Sequence, residues 1–235
     1  MKLKTLIALF FVCFYTGAQP ITGAWRTTAG GQETVLIFAA QHYSLAVYNR
    51  EARKFLSTEG GTWRAEEKQL VLKSEYNTAG AKTGHAALWK FHFGKGTLTL
   101  DDGAGNLQEF QLIDAGTPGA LAGAWLITGR TTEKGVQTIT SGARKTMKIL
   151  SGTRFQWIAY NSETNEFFGT GGGTYATENG RYTETIEFFS RDSTRVGMQL
   201  SFLYSLPEGN WRHQGKSSKG DPIDEIWTQR ERLGL

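Results

Sequence analysis

Hydrophobic residues along this chain recur at every second position, not every third or fourth. In the run from Thr153 to Tyr160, Phe155, Trp157 and Ala159 share one face. Further on, Tyr182, Glu184, Ile186 and Phe188 alternate with Thr183, Thr185 and Glu187. Met198, Leu200, Phe202 and Tyr204 alternate with Gln199 and Ser201. Alternation of this length predicts strands with one buried face. Turn signals separate the runs: Asp102-Gly103, Glu178-Asn179-Gly180 and Pro207-Glu208-Gly209-Asn210. No stretch carries helical periodicity beyond about two turns, and strands do not alternate with helices. The chain therefore reads as all-β and antiparallel.

The pattern is written twice. Gly23-Ala24-Trp25 recurs as Gly123-Ala124-Trp125. Tyr48-Asn49 matches Tyr160-Asn161, Phe55 matches Phe167, and Gly60-Gly61-Thr62 matches Gly172-Gly173-Thr174, all at an offset of 112. The first pair is offset by only 100, so the second copy carries twelve extra residues within 129–145. Ordered matches of this kind indicate a duplicated domain. The Gly- and Pro-rich stretch at 115–120 is the expected linker. It divides a first domain over 19–114 from a second over 121–235. A short meander hides its edges by closing into an up-and-down barrel, and a sandwich is the competing solution.

Residues 1–18 have a different character. Lys2 and Lys4 precede an apolar run from Leu6 to Tyr15, and Thr16-Gly17-Ala18 follows. This is the pattern of a secretory signal peptide cut after Ala18. The run is shorter than the roughly 20 apolar residues that span a bilayer. Cleavage would remove Cys13, the only cysteine, and with it any disulfide or thiol chemistry. It would also take the net charge from +4 to +2 by removing Lys2 and Lys4. So small an excess gives no argument for nucleic acid. No later apolar run is long enough to cross a membrane, and the expected product is exported to the periplasm or the medium of a bacterium.

The sequence also carries residues that resemble a family. Gly-x-Trp opening a small antiparallel meander resembles the lipocalin-like (calycin) barrels. Domain 2 is more specifically similar to secreted lipocalin-like domains of unknown function from Bacteroidetes-type bacteria. The stretches that carry this likeness are 154–160, 171–175, 182–184 and 220–227. The resemblance implies two lipocalin-like barrels in tandem, each a cavity scaffold. It also implies that the Trp at the barrel base packs on a basic residue ending the last strand, which in domain 2 is Arg230. Domain 1 ends its last strand at Asp114, with no basic residue at that place. By the same likeness the longer 129–145 segment would form a lid at the barrel mouth.

Gly169-Thr-Gly-Gly-Gly-Thr174 lacks the Lys-Ser/Thr and the strand-to-helix context of a phosphate loop. Glycine there reads as a bulge or a sharp bend. Asp101-Asp-Gly-Ala-Gly-Asn106 has too few carboxylates for a calcium loop and reads as a hairpin turn. The four histidines, 42, 85, 92 and 213, show no metal-ligand spacing, and no Gly-x-Ser-x-Gly elbow occurs. No metal, cofactor or catalytic residue is expected.

The informative residues are polar ones on apolar faces. A carboxylate on such a face is costly unless paired. Glu184, Glu225 and His213 are therefore expected either to satisfy one another, with Arg154 or a Tyr hydroxyl, or to face a cavity and orient a ligand. Phe155, Trp157, Tyr182 and Tyr204 would supply its apolar wall. The expected ligand is a small apolar or amphipathic molecule. The expected role is non-enzymatic binding. The competing reading is a solid-core barrel acting through surface contacts with a partner protein.

Overall fold

The computed structural model describes residues 21–80 and 83–235; the expected signal peptide lies outside the described residues. The first eight strands are β1 (Gly23–Ala29), β2 (Gln32–Ala39), β3 (His42–Asn49), β4 (Lys54–Glu66), β5 (Gln69–Asn77), β6 (Ala86–Phe93), β7 (Thr97–Asp101) and β8 (Leu107–Asp114). Each pairs antiparallel with the next, and β1 pairs with β8 to close a barrel. The second set is β9 (Gly123–Thr132), β10 (Gly135–Thr138), β11 (Arg144–Leu150), β12 (Arg154–Asn161), β13 (Phe167–Glu178), β14 (Arg181–Phe189), β15 (Gln199–Ser205), β16 (Trp211–Lys216) and β17 (Pro222–Gln229). Pairing of β17 with β9 closes a second eight-stranded barrel. The barrel, not the sandwich, is the solution, and it removes every edge except that of β10. Among the described residues no helix is long and apolar enough to cross a membrane.

The twelve extra residues form structure of their own. Where barrel 1 turns tightly from β1 to β2 through Gly30 and Gly31, barrel 2 prolongs β9 and folds β10 back on it, Thr132 opposite Gly135. Ile139, just after β10, packs against the core of barrel 2.

Trp25 and Trp125 are buried at equivalent places, and their indole N–H groups donate to Ile21 O and Leu121 O, both at 2.9 Å. The expected stacking of Arg230 on the base Trp is corrected here. The Arg230 guanidinium turns away and makes two 3.0 Å bonds to the Glu75 carboxylate of the other barrel. The edge of Trp125 meets Trp211 instead. A charged bidentate pair is the stronger attraction for a guanidinium than an indole face.

Three apolar clusters hold the molecule: one inside each barrel and a third between them. The third explains why β2 and β11 do not alternate. Val35 to Ala39, and Met147 to Leu150, are buried at every position because both faces are covered. The interface is isologous, in that each patch meets its own duplicate. Ser44 donates to Gln156, the residue at the same place in the second copy. Tyr48 donates to Glu187, and its duplicate Tyr160 donates to Glu75, the duplicate of Glu187. Tyr48 stacks on Phe188 and Tyr160 on Tyr76, with ring centroids 4.7 and 4.8 Å apart.

Both glutamates reach the interface from a β-bulge. Pairing slips between Gly172 and Gly173, so that Glu187 is the extra residue; the same slip between Gly60 and Gly61 frees Glu75. The expectation that these glycines permit a bulge is met. A Cβ on Gly173 would lie 2.0 Å from Thr185 O, and one on Gly61 2.1 Å from Lys73 O. Asp114 ties the end of barrel 1 to a turn of barrel 2. It closes β8 and accepts from Ser151 Oγ and Gly152 N, both at 2.8 Å, and from Thr153 N and Oγ1 at 3.0 and 2.7 Å.

Candidate functional site

Barrel 2 holds a cavity of about 220 Å³. Its walls are apolar: Phe155 and Trp157 from β12, Ile186 and Phe189 from β14, Leu200 and Phe202 from β15. Gly171 on β13 leaves the room, because a Cβ there would stand 2.6 Å from Trp157 Nε1. Ser217 and Ser218, in the turn from β16 to β17, line one side. Four titratable side chains complete the lining: Lys148, Glu184, His213 and Glu225.

These four are arranged in two pairs. Lys148 Nζ lies 2.7 Å from Glu184 Oε1, and both residues are 5% exposed. The Tyr182 hydroxyl donates to the same oxygen at 2.7 Å. Lys148 Nζ also lies 5.0 Å from the ring centroids of Tyr182 and Trp211 and 5.4 Å from that of Trp227. One carboxylate bond and three aromatic faces compensate the desolvation of that ammonium.

The second pair is looser. His213 Nδ1 is 3.5 Å from Glu225 Oε2, too far for a well-formed hydrogen bond. Both ring nitrogens of His213 are enclosed, without a hydrogen-bond partner among the described residues. Burial, and then the charge of Lys148, hold the His213 pKa below its ordinary value, so the imidazole is neutral near pH 7. Burial pushes the Glu225 carboxyl up, but the His213 contact and the Lys148 charge outweigh it and leave the pKa lowered. Trp227 Nε1 donates to Glu225 Oε2 at 3.2 Å, and Arg130 stands 3.8 Å from Oε1.

Five of the eight expected site residues therefore line one cavity: Phe155, Trp157, Glu184, His213 and Glu225. Tyr182 lies beneath it as the partner of Glu184. Tyr204 points into the barrel but packs in the core away from the cavity lining. Arg154 is a correction. It sits on the opposite face of β12 and pairs with Glu187 and with the Tyr48 hydroxyl of the other barrel, 2.9 Å away. Alternate residues of β12 face opposite ways, so Arg154 cannot share the cavity with Phe155. The bulge at Glu187 corrects a second expectation, because it moves Phe188 to the interface and brings Phe189 into the cavity.

Lys148 is the residue the pattern did not reveal. It lies between Met147 and Ile149, which face the other barrel, so no polar–apolar alternation marks it. Its register opposite both Trp125 and Trp157 is the signal that could have placed it inside.

Larger hollows exist but are less equipped. The cleft between the barrel bases is about 460 Å³, and Glu231 is the one charged residue lining it. The hollow of about 1020 Å³ around Glu66–Gln69 and Lys90 is a recess over mostly exposed side chains. Among the described residues no His, Cys, Asp and Glu cluster could hold a metal ion.

Residues 120–233 match the model of a protein family described as a domain of unknown function, DUF4488. The match covers barrel 2 with its cavity and stops short of barrel 1. Comparison with curated proteins and with solved structures finds no match to the chain.

Proposed function

We propose that the chain is an exported, tandem lipocalin-like, non-enzymatic binding protein that holds a small, partly apolar molecule in the cavity of barrel 2. The observation that carries this reading is the lining itself, an aromatic-walled cavity bordered by the buried Lys148, Glu184 and His213 and by Glu225. A few placed polar groups in an apolar lining are what small-molecule pockets use to fix a ligand. A ligand with one polar group and an apolar body matches such a lining. The size also supports the reading, since a cavity of about 150 Å³ accommodates a benzene ring. At about 220 Å³ this one takes a ring and a short chain. Glu225 and the Lys148–Glu184 pair orient the ligand. No role in contacting nucleic acid or membrane is proposed.

Native mass spectrometry of the mature chain purified from its own cell envelope tests this. The expected result is an added mass that denaturation releases. Ile186→Trp, which fills the cavity from its wall, should lose that mass while keeping the β-sheet circular dichroism spectrum. A chain that carries nothing and accepts no small aromatic probe, or a filled variant that binds as well as the wild type, would refute the reading.

A further inference from the structure

We infer that the cavity of barrel 2 selects a ligand bearing a protonated amine on its small apolar body, an inference that rests on the binding reading above. The argument begins with the charges that line the space. Lys148 is matched by Glu184 at 2.7 Å, which closes that pair. Glu225 then remains as the surplus charge. Its nearest cation, Arg130, is 3.8 Å away with a side chain 57% exposed, so water screens most of that attraction. Its buried neighbour His213 is neutral and offers no counter-charge. The cavity therefore carries one carboxylate without a buried partner cation.

The geometry favours an ammonium as the missing partner. Glu225 Oε1 takes no hydrogen bond among the described residues, while Oε2 takes the Trp227 indole N–H. A primary ammonium has three donors and no acceptor. It can give its donors to Glu225 Oε1, the open carboxylate oxygen on the cavity lining. The body of the ligand then lies among Trp157, Phe155 and Phe189. A carboxylate in the same place would face Glu225 and leave its own acceptors unmet. The floor gives it no better position, because the Lys148 ammonium is already enclosed by Glu184, Tyr182, Trp211 and Trp227.

Three probes with one body and different heads test this: 2-phenylethylamine, 2-phenylethanol and phenylacetate. Affinities are read at pH 7 on the full chain by tryptophan fluorescence and ligand-observed NMR. The amine should bind at least tenfold tighter than the alcohol, and phenylacetate weakest. Glu225→Gln should erase the amine's advantage to within about threefold and leave the alcohol's affinity in place; Trp157→Ala should weaken amine and alcohol alike. Equal or better binding of the alcohol or the acid would overturn the amine preference while the cavity reading stands. Binding of none of the three would overturn both.

Discussion

The two barrels place opposite chemistry at the same positions of one fold. Where barrel 2 has Lys148, Tyr182 and Glu184, barrel 1 has Leu36, Leu70 and Leu72, all buried. The ladder position of His213, opposite Tyr204, is held in barrel 1 by Leu100, opposite Phe91. Gly171, which makes room for Trp157, is replaced by Glu59, whose carboxylate accepts from Asn77 at 2.6 Å and fills part of the mouth. At the equivalent place barrel 1 keeps a recess of about 140 Å³ against about 220 Å³. A barrel of eight strands is stable with a solid apolar core. The buried charges of barrel 2 are therefore not demanded by the fold, and their presence points to a site.

The sharpest way to break that comparison is to make barrel 2 resemble barrel 1. Lys148→Leu alone leaves Glu184 buried without its cation, and should cost about 3–5 kcal/mol in urea unfolding. The triple variant K148L/Y182F/E184L removes the pair and the hydroxyl it would orphan. Replacing a buried ion pair by packed apolar groups is often neutral or stabilising by about 1–4 kcal/mol. The triple variant should thus recover at least the wild-type midpoint while losing the ligand. If it stays as unstable as the single variant, the pair is structural and the contrast between the barrels loses its functional meaning.

Much of this contrast was legible in the chain, and its limits have physical causes. The duplication, the period of two and the glycine bulges follow from local pattern, because strand geometry and backbone sterics act over a few residues. Cavity residues that share a face with apolar positions two residues away, Trp157 with Phe155 and Glu184 with Ile186, could be found for the same reason. Arg154 and Lys148 could not, because β11 and β12 are covered on both sides by a second barrel that the alternation rule does not contain. Asp114, conspicuous in the sequence only for lacking a basic side chain, is the carboxylate that captures the turn at Ser151–Thr153.

The interface offers a second, smaller contrast across its pseudo-twofold axis. On one side Glu187 is met by Arg154 of its own barrel, with Arg50 of the other barrel at 3.3 Å. On the other, position 42 is His, and Arg230 after β17 supplies the guanidinium to Glu75. The Arg154 and Arg230 side chains are 6% and 3% exposed, whereas Glu75 is 21% exposed. Arg154→Met should therefore cost more, about 2–4 kcal/mol, than Glu75→Gln, about 1–2 kcal/mol, because Gln keeps acceptor capacity and water reaches that side. Thermal unfolding that ranks them in reverse would show that the two halves do not carry equivalent loads.

The smallest effect is set by His42, the duplicate of Arg154. It is buried, neither ring nitrogen has a hydrogen bond among the described residues, and Glu231 Oε1 stands 3.6 Å from Nδ1. Burial, and then the charge of Arg230, lower its pKa from 6.5 to about 4, while Glu75 acts in the opposite sense. The unfolded chain takes up a proton near pH 6.5 that the native state refuses until about pH 4. The native contribution is therefore present above pH 6.5 and is lost as pH falls through that window, by about 1 kcal/mol at pH 5.5. His213, lowered by its own burial, acts with the same sign in barrel 2. Lowered Glu75 and Glu187 add a loss only below their ordinary pKa of 4.5, so they leave the pH 7 to 5.5 range to the histidines. His42→Leu removes one titrating group and two orphaned nitrogens, and should flatten the stability change between pH 7 and 5.5 by that amount. An unchanged slope in urea unfolding at the two pH values would mean that the native interface lets His42 take up its proton as readily as the unfolded chain does, and the burial of the imidazole would then carry no pH-dependent stability.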